Sequence, residues 1–269
     1  MFNHADRLVS LAAGTILDVG PAQAVGVAHD AGWPAVGIWF DAATWTHSTT
    51  RAVQTQLRQT GTVALDVEPV ILSSDGDPGD ALIDAAIEIG AQFVLVASRQ
   101  PVTPSLVDRF GSLCDRAAVG GITVVMEFLP IFAVASLSQA LSVVADAARP
   151  NSGVLIDTLH LSRSGGSAKD LEGVDPRLLP YLQVADAPAV PADSSIAGLV
   201  NEALHGRLLL DDGQLDVAGV LRAVPDVPLS FELRSRTLMD AYPDPVDRAR
   251  AVLDNWHHWC ADSSLGRAL

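Results

Sequence analysis

Several residue types that mark particular classes of protein are scarce in this chain. Lys169 is the only lysine among 269 residues, and it lies in the polar stretch GGSAKDLEG rather than in an apolar run. Schiff-base enzymes need a desolvated lysine, so the sequence argues against that chemistry. The two cysteines, Cys114 and Cys260, lie far apart and form no CxxC pair, which favours free thiols over a disulfide or a zinc knuckle.

Positive charge and long apolar runs are scarce as well. The formal net charge is −15, which argues against partners with clustered phosphates, whether nucleic acid or an anionic membrane surface. Charges, Pro or Gly interrupt every apolar stretch before it reaches the length of a bilayer, and the first residues lack the basic and apolar regions of a secretory signal. We therefore expect a cytoplasmic protein that binds neither nucleic acid nor membrane.

Short β-branched runs alternate with longer Ala-rich amphipathic segments along the whole chain. The predicted strands are GTILDV, AVGIWF, TVALDVEPVIL, AQFVLVAS, ITVVMEFL, SGVLIDT, YLQVADA and PLSFEL. Predicted helices separate them, including DLEGVDPRLLP between the sixth and seventh strands. This alternation predicts an α/β protein, a (β/α)8 TIM barrel in one domain spanning 1–269. A doubly wound sheet is the alternative, but no GxGxxG follows the first strand.

Oxygen-donor side chains lie toward the ends of four consecutive predicted strands. They are Glu127 in VVMEFLP, Asp157 in VLIDTLH, Gln183 in LQVADAP and Glu232 in LSFELRS. Each interrupts an apolar run, where an unpaired charge is costly to bury. Functional side chains of such a barrel collect at the carboxyl ends of its strands. Three carboxylates and an amide oxygen suit a hard divalent cation such as Mn²⁺ or Mg²⁺.

The same acids have a second interpretation as partners of arginine. Arg163, Arg207 and Arg234 follow the last three predicted strands, so ion pairs are an alternative to a metal site. His160 adds a geometric condition, because positions i and i+3 of a continuous strand point to opposite faces. The strand must therefore end near Asp157 if His160 is to reach the same pocket.

The segments IDTLH, QVADAP, EALHGRLLLDDGQLD and SFELRS resemble the xylose-isomerase-like TIM barrels. This superfamily includes sugar-phosphate isomerases and epimerases, hydroxypyruvate isomerases, ketose 3-epimerases, inosose dehydratases and bacterial 3-dehydroshikimate dehydratases. The resemblance covers essentially the whole chain and is most specific in its second half. It implies that the metal ligands are Glu127, Asp157, Gln183 and Glu232.

The resemblance also implies contacts with substrate. His160 matches the histidine of the family's DxxH motif, and Arg207 matches the arginine after the seventh strand; both face substrate in the family. Glu68, toward the end of the third strand, and His205, two residues before Arg207, are further substrate-binding candidates. Asp186 is expected to cap or pair rather than to bind metal.

Two features depart from the family pattern. Gln183 stands where many relatives have a histidine. A glutamine at this position is more similar to the hydroxypyruvate isomerase and dehydroshikimate dehydratase branches. After Arg207 the chain reads LLLDDG instead of a Pro-Gly-x-Gly turn, and Gly213 alone is kept. We therefore expect a different loop over the substrate, whose identity stays open.

The implied function is that of a metal-dependent isomerase or epimerase of a small polyhydroxylated α-hydroxy carbonyl compound, free or phosphorylated. The cofactor would be Mn²⁺ or Mg²⁺, with Co²⁺ or Zn²⁺ as alternatives, and it would polarise the carbonyl and stabilise an enediolate. Glu127 and Glu232 would be the base and acid that the family implies, with His160 as a third catalytic residue.

Other functions remain open at this point. A dehydratase of the 3-dehydroshikimate or inosose type would use the same metal site, because the enolate can expel a β-hydroxyl group instead of regaining a proton. A non-catalytic sugar-binding barrel is a third hypothesis. An abasic-site endonuclease would need a His-rich zinc cluster and a basic surface, and the sequence shows neither. A homodimer or a homotetramer is open as the oligomeric state.

Overall fold

The computed structural model describes residues 7–262, which form a closed barrel of parallel strands in the order β1 to β8. The strands are β1 (Val9–Leu11), β2 (Ala35–Trp39), β3 (Val63–Leu72), β4 (Phe93–Ser98), β5 (Thr123–Glu127), β6 (Ser152–Asp157), β7 (Leu182–Val184) and β8 (Leu229–Phe231). The α-helices are α1 (Pro21–Ala31), α2 (His47–Thr60), α3 (Gly79–Ile89), α4 (Pro104–Ala117), α5 (Leu137–Ala147), α6 (Thr158–Arg163), α7 (Ile196–His205), α8 (Val217–Ala223), α9 (Arg236–Ala241) and α10 (Pro245–Asp262). β8 pairs with β1, so the predicted (β/α)8 TIM barrel is confirmed.

The inside of the barrel changes from apolar to polar along the strands. One half is filled by a small apolar cluster, which consists of Ala35, Leu65, Phe93, Leu95, Val125, Leu155 and Tyr181. A polar row crosses the last strands, because Asp157, Gln183, Ser230 and Ser10 are successive partners in the strand register and therefore share the inward face. The polar side chains thus meet toward the carboxyl ends of the strands.

The first strand lies earlier than the sequence predicts. The β-branched run GTILDV predicts a strand, but β1 is Val9–Leu11, and Ala13–Ile16 forms a 3₁₀ helix. This turn is bonded to β8, because the Thr15 hydroxyl donates to the carbonyl oxygen of Phe231 at 2.8 Å and accepts from the amide of Leu233 at 2.9 Å. The prediction was wrong because these tertiary hydrogen bonds override local β propensity.

The connection between β6 and β7 also differs from the prediction. β6 ends at Asp157 and α6 begins at the next residue, which meets the condition for His160 to reach the pocket. The segment DLEGVDPRLLP does not form an α-helix. It overlaps two 3₁₀ helices, Ala168–Leu171 and Pro176–Leu178, because Gly173 and a proline interrupt the helical pattern.

Helix α10 packs on the outer face of the barrel beside α1. It buries Trp256 against Phe231, with ring centroids 5.3 Å apart. Within residues 7–262, no helix combines the length and the apolar character needed to cross a membrane.

Candidate metal centre

Three buried side chains converge where β5 and β6 end. One donor atom each from Glu127, Asp157 and His160 lies within 4.8 Å of the other two. Asp157 is the N-cap of α6, and its Oδ1 accepts the backbone amide of His160 at 3.0 Å. This cap sets the first turn of the helix, and the His160 Nε2 atom lies 3.9 Å from Glu127 Oε1. The structure therefore brings two of the four predicted ligands together with the histidine.

The guanidinium of Arg207 joins this cluster to Glu232. Its Nη1 donates to Asp157 Oδ2 at 2.6 Å, and its Nη2 lies 2.7 Å from Glu232 Oε2. Nη2 is also 3.5 Å from His160 Nε2, while Nε donates to the carbonyl oxygen of Ala203 at 3.3 Å. All three guanidinium nitrogens are thus engaged inside the protein. The ion-pair interpretation therefore holds for Asp157 and Glu232.

The other residues considered from the sequence are not part of this cluster. Arg163 pairs with Glu202 at 2.7 Å instead of with a barrel acid. Arg234 has its Cζ atom 5.7 Å from the centre of the Trp39 ring. His205 is exposed at the end of α7, and within residues 7–262 no hydrogen bond or ion pair joins it to the cluster. The substrate contact of His205 stays a prediction.

Gln183 lies next to Asp157 in the strand register and bonds to Glu68. The Gln183 side-chain amide nitrogen donates to Glu68 Oε2 at 3.2 Å. The other side-chain oxygens, Gln183 Oε1 and Glu68 Oε1, are buried without a hydrogen-bond partner among the described residues. Unpaired buried oxygens are costly. Two acceptors are therefore available to a cation or to a donor group of a ligand.

Burial favours the neutral form of most carboxyl groups around the centre. It raises the pKa of Glu127 well above the ordinary value, and repulsion from neighbouring carboxylates adds to the effect. Burial and nearby acids raise the pKa of Glu68 in the same way. Burial also raises the pKa of Glu232, although Arg207 opposes this shift. Without a bound cation, these surroundings therefore favour the protonated form of Glu127.

Asp157 and His160 have the opposite preferences. Burial opposes ionisation of Asp157, but Arg207 and His160 outweigh it and hold the pKa of Asp157 below its ordinary value. Burial lowers the pKa of His160 to about 4, although Asp157 opposes this shift, so the imidazole is neutral at pH 7. The surroundings therefore favour the ionised form of Asp157 and the neutral forms of His160 and Glu127.

The donor set fits a divalent metal ion. Carboxylate oxygens and a neutral imidazole nitrogen are ligands that Mn²⁺, Zn²⁺ and related ions accept. The three donors of Glu127, Asp157 and His160 are close enough to share one ion, and Gln183 offers an unpaired oxygen beside them. Glu127 would have to release its proton first. A ligand role for Glu232 would compete with its ion pair to Arg207.

Sequence reasoning missed Gly14, which makes room for Glu232. The carboxylate follows directly after β8 and rests on the 3₁₀ helix that contains Gly14. A Cβ atom at this position would lie 2.9 Å from Glu232 Cγ and closer still to Oε1, so the observed placement requires glycine. The available signal was a glycine as the first residue of the predicted strand GTILDV, because a glycine in a strand often marks a close backbone approach.

A second missed residue, Asp66, lies inside the barrel. Tyr181 donates its hydroxyl to Asp66 Oδ2 at 2.9 Å, and Asp66 Oδ1 has no partner among the described residues. Burial raises the pKa of Asp66 to about 6, against the opposing bond from Tyr181. The signal was an acid in the apolar run TVALDVEPVIL, in which only Glu68 was singled out.

Asp186 organises the loop that follows β7. Its carboxylate accepts backbone amides from Ala187, Asp211, Gly213 and Leu215 at distances of 2.7 to 3.2 Å. Gly213 is the glycine kept from the family's turn, and a Cβ atom there would lie 2.6 Å from the amide nitrogen of Ala187. The prediction that Asp186 caps is confirmed.

A closed (β/α)8 barrel with buried acids and an imidazole at its carboxyl-terminal mouth has the architecture of a barrel enzyme. The chain belongs to the xylose isomerase-like TIM barrel family, whose model matches residues 25–258. Members of this enzyme superfamily act as isomerases, epimerases or 3-dehydroshikimate dehydratases. The family predicted from the strand-end motifs is therefore confirmed.

The proteins similar to this chain include a dehydratase and an epimerase. The chain is 27% identical over 175 residues to a 3-dehydroshikimate dehydratase of Pseudomonas aeruginosa, a match that covers 63% of this chain and 27% of the relative. The chain thus spans about a quarter of the length of that curated relative. The IOLI protein, solved with a bound zinc atom, has a TM-score of 0.77 and 17% identity, over 92% of this chain and 95% of its own. D-allulose 3-epimerase from Methylomonas sp., in complex with D-allulose, has a TM-score of 0.66 and 17% identity, over 94% and 97%.

Proposed function

We propose that the protein is a divalent-metal-dependent isomerase or epimerase of a small polyhydroxylated α-hydroxy carbonyl compound. The observation that carries this proposal is the convergence of Glu127, Asp157 and His160 within 4.8 Å at the mouth of the barrel. Glu232 lies beyond them on the other side of Arg207. The centre thus offers ligands for an ion together with two carboxyl groups that can exchange protons.

The proposed reaction needs one group that removes a proton from carbon and one that returns it. The chemistry that a bound divalent ion supplies is polarisation of the substrate carbonyl. Glu232, which Arg207 keeps in place, takes the proton from the carbon beside the carbonyl. Glu127, protonated by exchange with water, returns a proton to the neighbouring carbon or to the opposite face, and Glu232 then releases its proton to water. When the proton returns to the neighbouring carbon, the hydroxyl proton of the substrate passes to the former carbonyl oxygen. Neutral His160 can donate a hydrogen bond to a substrate hydroxyl.

The test of this proposal is a substrate panel in D₂O. Hydroxypyruvate, ketoses, inosose and dehydroshikimate are each incubated with the protein and Mn²⁺ or Mg²⁺, and the products are analysed by NMR. An isomerase or epimerase places deuterium on carbon without loss of water. The Glu127→Gln and Glu232→Gln variants are expected to be inactive. Wild-type turnover in either variant, or in protein freed of metal, contradicts the proposed centre.

A dehydratase is the second candidate, and the match to the dehydroshikimate dehydratase of Pseudomonas aeruginosa favours it. Gln183 is compatible with both candidates, because the glutamine is similar to the hydroxypyruvate isomerase branch as well as to the dehydroshikimate dehydratase branch of the family. The same panel separates the two reactions. A dehydratase releases water and forms a conjugated product that absorbs in the ultraviolet.

A non-catalytic sugar-binding barrel is tested by metal analysis of the purified protein. Absence of a tightly bound divalent ion, together with unchanged sugar binding in Glu127→Gln and Glu232→Gln, favours that function over catalysis. The identity of the ion, whether Mn²⁺, Mg²⁺, Co²⁺ or Zn²⁺, follows from the same measurement. The cytoplasmic location and a homodimeric or homotetrameric state stay predictions.

A further inference from the structure

Two arginines lie just beyond the carboxyl ends of strands, close to residues of the centre. Arg234 is half-buried and lies two residues after Glu232, three residues beyond the end of β8. Arg99 directly follows the last residue of β4, in which Ala97 is the register partner of Glu127. Because β4 and β8 lie on opposite sides of an eight-stranded barrel, the two guanidinium groups flank its mouth.

Each of these arginines rests on an aromatic ring. The Cζ atom of Arg234 lies 5.7 Å from the centre of the Trp39 ring, and that of Arg99 lies 5.2 Å from the centre of the Phe132 ring. Within residues 7–262 neither has a carboxylate partner within ion-pair distance. By contrast, Arg116 on α4 pairs with Asp84 on α3.

An arginine held on an aromatic ring is prepared for an anion. The ring attracts the face of the guanidinium and restricts its movement, while the N–H groups on its edge stay available. Those N–H groups match the two oxygens of a carboxylate or of a phosphate. The chain has a formal net charge of −15. Guanidinium groups that lie at the mouth of the barrel without acidic partners give the mouth a local preference for anions.

Arg207 is not available for this role. Asp157, Glu232, His160 and the carbonyl oxygen of Ala203 already engage its nitrogens. Arg234 is half-buried and lies two residues after Glu232, whereas Arg99 is exposed and follows the strand on the opposite side of the barrel.

We propose that Arg234 determines substrate specificity by binding an anionic group of the substrate, a carboxylate or a phosphate, at the mouth of the barrel. This inference rests on the proposed function, because it assigns a substrate class to the same site. Arg234 binds the charged end of the substrate while the carbonyl end reaches the carboxyl groups below. Arg99 contributes attraction from the opposite side.

Three compounds that share a hydroxymethyl ketone test the proposal. Dihydroxyacetone is neutral, hydroxypyruvate adds a carboxylate, and dihydroxyacetone phosphate adds a phosphate. Their dissociation constants are measured by calorimetry with Mn²⁺-loaded wild-type protein and with Arg234→Gln, Arg234→Lys and Arg236→Gln. Arg236 is the matched control, because it is an exposed arginine two residues away without an assigned contact to substrate. The affinity for Mn²⁺ alone is measured for each protein.

Wild-type protein is expected to bind one of the two anions at least about 10-fold more tightly than dihydroxyacetone. Arg234→Gln is expected to abolish the preference for the anion without changing the affinities for dihydroxyacetone and Mn²⁺. Arg234→Lys retains part of the preference, and Arg236→Gln behaves as wild type. The anion that binds more tightly shows whether Arg234 binds a carboxylate or a phosphate of the substrate.

The opposite results overturn the proposal. They are equal affinity of the wild type for all three compounds, equal weakening of all three in Arg234→Gln, or no binding by the wild type. A preference for anions that needs Arg234 and persists after removal of Mn²⁺ supports the role of Arg234, while it contradicts the metal-dependent function. Binding of dihydroxyacetone that needs Mn²⁺, without preference for an anion, overturns the inference and leaves the proposed function standing.

Discussion

At the scale of single residues, the barrel shifts the pKa values of two adjacent carboxyl groups, Glu127 and Asp157, in opposite directions. Burial raises the pKa of Glu127, whereas Arg207 and His160 hold that of Asp157 down against the effect of burial. Because burial favours the neutral form of Glu127, we expect the neutral glutamine of Glu127→Gln to change the free energy of unfolding by less than about 1 kcal/mol. Asp157→Asn leaves Arg207 without one of its charged partners, so a loss of about 3 kcal/mol is expected.

Urea unfolding of the metal-free proteins measures both changes, and Mn²⁺ titration shows whether both variants have lost the ion. Equal destabilisation by the two substitutions would contradict the assigned protonation states.

The close approach of Gly14 to Glu232 gives a second prediction for a single residue. In Gly14→Ala the new methyl group collides with the carboxylate, which must move. We expect kcat to fall at least about 10-fold, with a stability loss of about 1 to 3 kcal/mol. Gly20→Ala is the matched control, because nothing lies within 4 Å of a Cβ atom at Gly20. Wild-type kcat in Gly14→Ala would show that the position of Glu232 does not matter.

The candidate site could be predicted only in part from single residues. Glu127, Asp157, Gln183 and Glu232 are recognisable because each interrupts an apolar run at a strand end. The ion pairs of Arg207 are not recognisable, because the arginine lies in a loop whose path depends on tertiary hydrogen bonds.

At the scale of elements, the loop after β7 depends on one carboxylate. Asp186 accepts the amides of Asp211, Gly213 and Leu215, and its own backbone pairs with Leu208, next to Arg207. We expect Asp186→Ala to open this loop, to speed amide hydrogen exchange in residues 208–215 and to lower kcat.

Hydrogen exchange followed by mass spectrometry measures this effect, with Asp212→Ala as the control because Asp212 is exposed in the same loop. Unchanged exchange in Asp186→Ala would mean that backbone pairing alone maintains the loop.

The elements themselves follow largely from local sequence patterns. The runs predicted as the second to eighth strands overlap β2 to β8, because buried parallel strands are short, apolar and β-branched. β1 was misplaced, since hydrogen bonds from Thr15 to β8 turn its neighbouring run into a 3₁₀ helix. Helix α6 could be placed only once Asp157 was seen to cap it.

At the scale of the whole molecule, buried acids make stability depend on pH. Burial raises the pKa of Asp66 to about 6 and raises those of Glu68 and Glu127 well above their ordinary values. Each raised pKa stabilises the fold at low pH, and this contribution is lost as pH rises through the folded-state pKa. The pKa of His160 is lowered to about 4, so below pH 6.5 this group makes stability rise with pH instead. Its contribution is that of one group, whereas three acids contribute in the other direction.

We therefore expect metal-free protein to lose stability as pH rises above about 5, by on the order of 1 kcal/mol per pH unit while these buried acids ionise. Mn²⁺ at 100 times its Kd adds about 2.7 kcal/mol. At constant free Mn²⁺, the added stability shrinks as pH falls, because protons compete for Glu127. Urea unfolding with EDTA or with Mn²⁺ at several pH values tests both trends. A steady rise in metal-free stability up to pH 8, or a Mn²⁺ effect independent of pH, would contradict them.

The hydrogen bonds of Thr15 to β8 have a consequence for folding of the chain during its synthesis on the ribosome. They bring Gly14, near the start of the described chain, against Glu232, which follows the last strand to be made. A nascent chain that has released only β1 to β7 already contains Glu127 and Asp157 but has no closed wall around them. A divalent ion that uses the proposed centre could therefore be bound in its final geometry only after translation has delivered β8.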